Sequence, residues 1–400
     1  MRKIIIGLAL VGLLVPVLAQ AKTLEDLLVE KGVITKSEAR AAASGAGRVY
    51  WDNGTRLEFP DVGFSTRIAT HIKARYEFTD NDNADNTSSF EIPTARLKID
   101  GSVLNNEFTY VLQLDFTKSS GSGTLLDAAL AWHPSDFLSI KAGQFKTGVS
   151  RQFNTSSPYL QFAERTLVSD TFDLGRQQGA QIGVNLGDVA TVGVGLFNGS
   201  SAGEGINSTG VDTDHAIVVN ARANVVGEMN PYVEADVDGT EDLAINVGGA
   251  YAFSTDKAAG ISTDHQVVSV DANLKWQGFS FNGEFFWEDF DPDNASSRDH
   301  WAFYVQAGYF FLPQELELAA RWGYMDCDNG HFGSFNPVCK NKNGQQNDID
   351  TINEVAVNIN YYWWKHNLKA QVGWYFDTRD PVNGSSIDTN RWLLQLSSYF

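Results

Sequence analysis

From Val62 to the last residue the chain alternates. One parity of each segment is apolar or aromatic, and the other carries Arg, Lys, Gln, Asn, Glu and Asp. That two-residue period belongs to strands whose successive side chains point to opposite faces of a sheet. It predicts sixteen strands, beginning at 62–76, 90–102, 107–117, 124–133 and 137–146 and ending at 350–364, 367–378 and 388–400. The connections alternate too. Short ones such as Leu104-Asn105-Asn106, Gly187-Asp188, Gln277-Gly278 and Lys365-His366 take turns with long ones at 77–89, 147–174, 199–213, 327–349 and 379–387. Met229 to Asp242 interrupts this rhythm. A seventeenth strand there would put the chain ends on opposite sides, so Gly227 to Glu241 reads as one long turn on the short-turn side.

The fold class that follows is all-β: a transmembrane antiparallel barrel of about 16 strands, with a short N-terminal helical segment. A secreted sandwich shares the alternation, but the two faces favour the barrel. The apolar faces are long, as in Trp301, Phe303, Val305, Ala307, Tyr309 and Phe311, and the opposite faces are charged. Charge is wrong for a dry core and right for a wet lumen. The chain also ends on an aromatic, Phe400, at the close of an alternating segment, where a soluble chain tends to fray into polar residues.

The N-terminus names the compartment. Arg2 and Lys3 precede an apolar run from Ile4 to Leu18 and then Ala19-Gln20-Ala21, the form of a secretory signal peptide over residues 1–21. Residues 22–60 read as a short periplasmic helical segment and linker, with Leu24, Leu27 and Leu28 on one face and a capping box at Thr35-Lys36-Ser37-Glu38. Residues 61–400 form the outer-membrane barrel. The formal charge of −19 argues against general nucleic-acid binding. Cys327 and Cys339 share one polar stretch, which in an exported chain suggests a disulfide stapling a loop. A metal pair with His331 is the alternative, but it falls short of a zinc motif, so no metal site and no cofactor are expected.

With the apolar parity outward, the other parity lines a pore. The early strands bring Arg67, His71, Lys73 and Arg75, then Arg96, Lys98 and Asp100, then Ser139 and Lys141, and later Asn220, Arg222 and Asn224. The long connection after residue 146 and its ends carry Lys146, Arg151, Arg165 and Arg176 against Glu164, Asp170 and Asp173. The late strands bring Asp271, Glu284, Glu288, Glu317, Glu354 and Asp377, with Lys275, Arg321, Lys369 and Arg391 among them. The N-terminal half of the wall is therefore basic and the C-terminal half mixed to acidic, and such charges set which ions concentrate in a confined pore. Neighbouring lumenal charges can also simply pair and hydrate the channel. Thr147 to Leu174 is too long for a turn and carries its own anchors, Phe153, Tyr159, Leu160, Phe162, Leu167 and Phe172. It can fold inward and narrow the pore.

Three stretches carry a family resemblance: Lys141-Ala-Gly-Gln-Phe-Lys146, Tyr159-Leu-Gln-Phe-Ala-Glu-Arg165 and Arg176-Gln-Gln-Gly-Ala-Gln-Ile-Gly183. Together with Ala95-Arg-Leu-Lys-Ile-Asp-Gly101, they resemble the phosphate-selective porin O and P family of Gram-negative outer membranes. The resemblance implies a sixteen-stranded homotrimeric porin with its third loop folded inward and an anion pathway lined by Arg and Lys. Arg96, Lys98, Lys141, Lys146, Arg165 and Arg176 match the family's patterns. The acidic mature chain and the acidic late strands depart from a dedicated phosphate trap.

The function that follows is passive diffusion of small hydrophilic solutes, anions such as phosphate first among them, through a water-filled channel. A non-selective porin, or surface binding through outer loops that face outer-membrane lipid and lipopolysaccharide, are the alternatives. No enzyme and no catalytic residue is expected. His71 sits among cations, and Ser139 has no His partner on an adjacent strand.

Overall fold

The backbone N–H of Phe400 donates to the carbonyl of Thr70 over 2.9 Å, and with that bond the chain closes on itself. The computed structural model describes residues 28–33, 35, 47–82, 85–117, 123–199, 211–213, 215–258, 261–294, 296–327 and 349–400. The expected signal peptide, most of the expected N-terminal helical segment and Cys339 lie outside those residues. Cys327 is disulfide-bonded.

A hairpin, β1 (Arg48–Trp51) and β2 (Thr55–Phe59), comes first. There follow β3 (Phe64–Asn81), β4 (Thr87–Val103), β5 (Phe108–Asp115), β6 (Thr124–Ser135), β7 (Leu138–Lys146), β8 (Arg176–Asn185) and β9 (Ala190–Phe197). A three-residue piece, β10 (Val211–Thr213), pairs with β12 beyond the end of β11 (Ala216–Val226). The second half comprises β12 (Ala244–Ala258), β13 (Ile261–Trp276), β14 (Phe279–Pro292), β15 (Arg298–Leu312), β16 (Leu316–Asp326), β17 (Ile349–Trp364), β18 (Leu368–Pro381) and β19 (Ile387–Tyr399). Neighbours pair antiparallel throughout. β19 returns to β3 with Tyr399 opposite His71 and Thr389 opposite Asn81, giving a closed barrel of 16 strands. Closure leaves no barrel strand with an open edge, as a lipid environment requires.

The outward parity is apolar and exposed, as at Ile72, Leu130, Val270, Ile359 and Leu394. Trp132, Trp276, Trp363 and Trp364 cluster near the short turns, where amphipathic rings sit at a membrane interface. The inward parity is polar and largely buried, which in an open tube it would not be. The reason is that the barrel is filled from inside. The connection from β7 to β8 turns into the lumen and forms two short helices there, α1 (Arg151–Asn154) and α2 (Leu167–Phe172). Val168 and Phe172 of α2 join Phe145, Phe197, Phe286 and Tyr304 in an apolar cluster, with the Phe172 and Phe286 rings stacked at 5.5 Å.

Residues 48–59, read from the sequence as linker, are the β1–β2 hairpin. Its turn places Asn53 at φ 46 and Gly54 at φ 142, and a Cβ on Gly54 would stand 2.7 Å from the Ile68 carbonyl oxygen. β2 pairs with the start of β3, Arg56 opposite Arg67, just below the point where β19 ends. Trp51 packs on Trp364 at 5.1 Å and on Phe400 at 5.9 Å, so the hairpin finishes the seam that Phe400 closes.

Candidate functional site in the lumen

The loop enters the lumen through a fixed neck. Thr147 N–H bonds the carbonyl of Gly175 at 3.2 Å, and the Asp173 carboxylate accepts from Ser150 N–H at 2.8 Å and Gly175 N–H at 2.6 Å. Ser150 caps α1 and Thr166 caps α2, each accepting from the backbone N–H three residues on. Burial pushes the Asp173 carboxyl up to about 7, against those two N–H donors and the nearby Lys146.

Inside, the loop lies against the C-terminal half of the wall, and its backbone meets wall charges of both signs. Glu284 accepts from the N–H groups of Arg151 and Gln152, Glu354 from Leu167 N–H at 2.9 Å, and Tyr375 Oη from Ala163 N–H at 3.1 Å. In the opposite sense, Lys73 donates to the Ala163 carbonyl at 2.9 Å, Lys369 to the Pro158 carbonyl at 3.0 Å, and Arg321 to the Glu164 carbonyl at 3.0 Å. At the loop's far tip, Glu164 pairs with Arg75 and, at 2.9 Å, with Arg391. Burial would raise this carboxyl, but Arg391 and Arg75 outweigh it and hold it at about 2. Gln161, fully buried, donates to Glu317 and Ser280, accepts from Gln306, and lends its carbonyl to Asn360 and Gln371.

The opposite wall stays open. Between the loop and β3–β8 lies a cavity of about 310 Å³ lined by Arg96, Lys98, Lys141, Lys146 and Arg176, with Asp127 the one carboxylate among its described lining residues. Three of the cations are matched by neighbours: Arg96 pairs with Asp115 at 2.8 Å, Lys98 with Asp100 at 3.5 Å and Arg176 with Asp127 at 3.0 Å. Lys141 and Lys146 have no carboxylate within ion-pair distance among the described residues. Lys141 Nζ sits 4.0 Å over the Phe145 ring, and Lys146 Nζ bonds the carbonyls of Asn154 and Thr155. A second cavity of about 320 Å³ shares Lys141 with the first and continues between Ser139, Gln181 and Asn220 to the short turns at 136–137 and 185.

The eleven residues expected along the pore thus fall into three groups. Arg96, Lys98, Lys141, Lys146 and Arg176 line the open cavity. Lys73, Arg75, Arg151 and Arg165 belong to the loop and its seat. Arg151 is fully buried between Tyr304 and the Pro231 carbonyl, and Arg165 bonds the carbonyls of Gln152, Phe153 and Thr155. Arg67 and Arg222 are matched by carboxylates, Asp100 at 2.9 Å and Asp271 at 2.7 Å. Sequence reasoning missed Glu234, on the long turn 227–243. Its side chain is fully buried and accepts from Gln161 N–H at 2.8 Å and Gln152 Nε2 at 2.9 Å. The available signal was the alternation of Val233, Ala235 and Val237 with Glu234 and Asp236. Among the described residues, no group of His, Cys, Asp and Glu is arranged to hold a metal ion.

Comparison with known proteins matches the family described as phosphate-selective porin O and P over residues 64–391. No curated protein matches the chain. Among solved structures, an anion-selective porin from Comamonas acidovorans superposes with a TM-score of 0.61 at 11% identity, covering 84% of this chain and 100% of that one. The outer-membrane channel DcaP of Acinetobacter baumannii gives 0.58 at 14% identity, covering 84% and 98%. OmpT of Vibrio cholerae, in a trimer form, gives 0.54 at 13% identity, covering 84% and 99%. At such identities the likeness to these three is one of fold.

Proposed function

The chain belongs to the phosphate-selective porin O and P family and is an outer-membrane channel, and from that premise we propose that it selects anions, inorganic phosphate among them. One observation carries this reading: the open cavity left beside the loop faces the basic wall, while the acidic wall is covered. Lys141 and Lys146 are the unmatched charges of that space, so they set its sign. In a narrow channel with low-dielectric walls, two uncompensated cations raise the local concentration of anions and repel cations. The matched pairs Arg96–Asp115 and Arg176–Asp127 offer donors to a passing oxyanion without adding net charge, whereas Lys98 shares Asp100 with Arg67 and adds to the positive excess.

The working unit in this proposal is a homotrimer, supported by the trimer form of the OmpT fold neighbour. Residues 1–21 act as the export signal and are removed. Planar-bilayer recording tests the core of the proposal. In a potassium chloride gradient the reversal potential should lie on the chloride side, and phosphate should reduce the chloride current by competing for the same cavity. Lys141→Ala plus Lys146→Ala should move the reversal potential towards zero. A wild-type channel that prefers potassium overturns the reading. Conductance arriving in groups of three equal steps is expected of the trimer, and single isolated steps would count against it.

A further inference from the structure

The turn 227–243 does more than join β11 to β12. Its rim crosses the short-turn end of the barrel and is tied to three other turns there. Gly278 N–H donates to Asp236 at 2.8 Å and Gln277 N–H to the Thr240 carbonyl at 2.6 Å. Gln314 Nε2 donates to the Asp238 carbonyl at 3.3 Å, and Lys365 pairs with the Asp238 carboxylate at 2.6 Å. Those turns lie under β13 to β18, the half of the lumen that the loop covers from within.

The middle of the turn rises into the barrel. Ala235 and Val237 pack with Phe310 and Tyr362 in an apolar cluster of their own. Glu234 goes deepest and meets the loop by backbone and side chain alike. Its N–H donates to the Tyr159 carbonyl at 3.2 Å, and its carboxylate receives Gln161 N–H and Gln152 Nε2. A fully buried carboxylate is costly unless its lone pairs are filled. Here the donors that fill them come from the loop.

We infer that this turn is a stopper sealing the C-terminal half of the lumen from the periplasmic side, and that Glu234 is the positioning residue joining stopper to loop. The two inserts leave one route, the one along the basic wall. The inference rests on the anion-channel reading only for the direction of the selectivity change below; the seal itself is independent of which ion passes.

The test has two readouts. Ser280 is fully buried behind the junction, with its hydroxyl accepting from Gln161 Nε2 at 2.9 Å. In the full-length channel, Ser280→Cys should resist the anionic thiol reagent 2-sulfonatoethyl methanethiosulfonate, and adding Glu234→Ala should make it react. Glu234→Ala alone should raise conductance about twofold and shift the reversal potential towards cations, as Glu317 and Glu284 become wetted. Glu234→Gln, which keeps the shape and one acceptor, should fall between. A reactive Ser280→Cys in the otherwise unchanged channel overturns the seal. A double variant that stays protected, in a channel that still conducts, overturns the role of Glu234. A failure of anion selectivity shows separately, as a cation-side reversal potential in the unmodified channel, and leaves the protection of Ser280→Cys unaffected.

Discussion

Two halves of one lumen wall carry charge, and only one of them faces water. On β13 to β18, Glu284, Glu317, Glu354, Arg321 and Lys369 are each 3% exposed or less, spent on the backbone and side chains of the inserted loop. On β4, β7 and β8, Arg96, Lys98, Lys141 and Arg176 line open space. The lesson is that a lumenal charge selects ions only if nothing else has claimed it. The boundary even divides one basic cluster. Lys73 and Arg75 on β3 are 4% and 5% exposed against the loop, whereas Arg96 and Lys98, one strand away, keep their carboxylate partners and still line the open cavity.

The strongest way to break this contrast is to remove what hides the acidic half. Replacing residues 150–173 by a short turn should raise single-channel conductance by about threefold or more and weaken anion preference, because the wider pore would expose Glu284, Glu317 and Glu354 together with Lys73, Arg75, Arg321 and Lys369. The barrel itself should survive, since its strand ladders do not depend on the loop. A loop-less channel with unchanged conductance and selectivity would mean the loop hides nothing that matters to the pore. A smaller change on the open side should act on sign alone. Lys141→Glu plus Lys146→Glu should turn the reversal potential to the cation side with conductance altered by no more than about twofold.

Much of this was legible in the sequence. Period two located all sixteen barrel strands, because a lipid face and a wet face impose opposite residue classes on alternate positions. The neck and anchors of the loop were legible too, in its length and in Phe162, Leu167 and Phe172. What could not be read was ownership. Lys73, Arg75 and Arg151 have the residue type and parity of pore cations, yet their partners lie far off in the chain, Ala163 and Glu164 for the first two and Pro231 and Tyr304 for the third, while Arg165 turns back onto carbonyls of its own loop. Residue type says nothing about a carbonyl ninety positions away. The β1–β2 hairpin is a different kind of miss. Asp52-Asn53-Gly54 between alternating segments is a hairpin signal that the label of linker obscured.

The seam between the halves can be loosened locally. Arg75→Ala leaves Glu164 with Arg391 alone, at 2.9 Å. An unpaired buried charge costs about 3–5 kcal/mol. Glu164 keeps one partner and its side chain is 32% exposed, so a cost of about 1–2 kcal/mol is expected. At about 1.4 kcal/mol per factor of ten, brief excursions of the loop tip should become roughly tenfold more frequent, seen as added open-channel current noise. Noise unchanged from wild type would mean that Arg391 and the carbonyl bonds hold the tip unaided.

The smallest effect, and the one that separates tip from neck, is on pH. The two loop carboxyls are perturbed in opposite directions. Glu164 is held at about 2, below its ordinary 4.5, so its contribution is present above 4.5 and is lost as pH falls towards 2. Asp173 is raised to about 7 from 3.8, chiefly by burial. Its folded state binds a proton more tightly than the unfolded one, so the neck loses stability as pH rises from about 4 through 7 and carries the full penalty above that. The loop should therefore be held best near pH 4 to 4.5, with noise rising below that as Glu164 protonates, rising above it as Asp173 ionises, and levelling off above about 7. Asp173→Asn removes the titrating group. It leaves one of the two N–H donors, Ser150 or Gly175, facing an amide nitrogen, so noise should rise by a constant amount while its increase between about pH 4 and 7 disappears. Persistence of that increase in Asp173→Asn would assign it to another group, and the rise at low pH should remain in this variant and vanish only in Glu164→Gln.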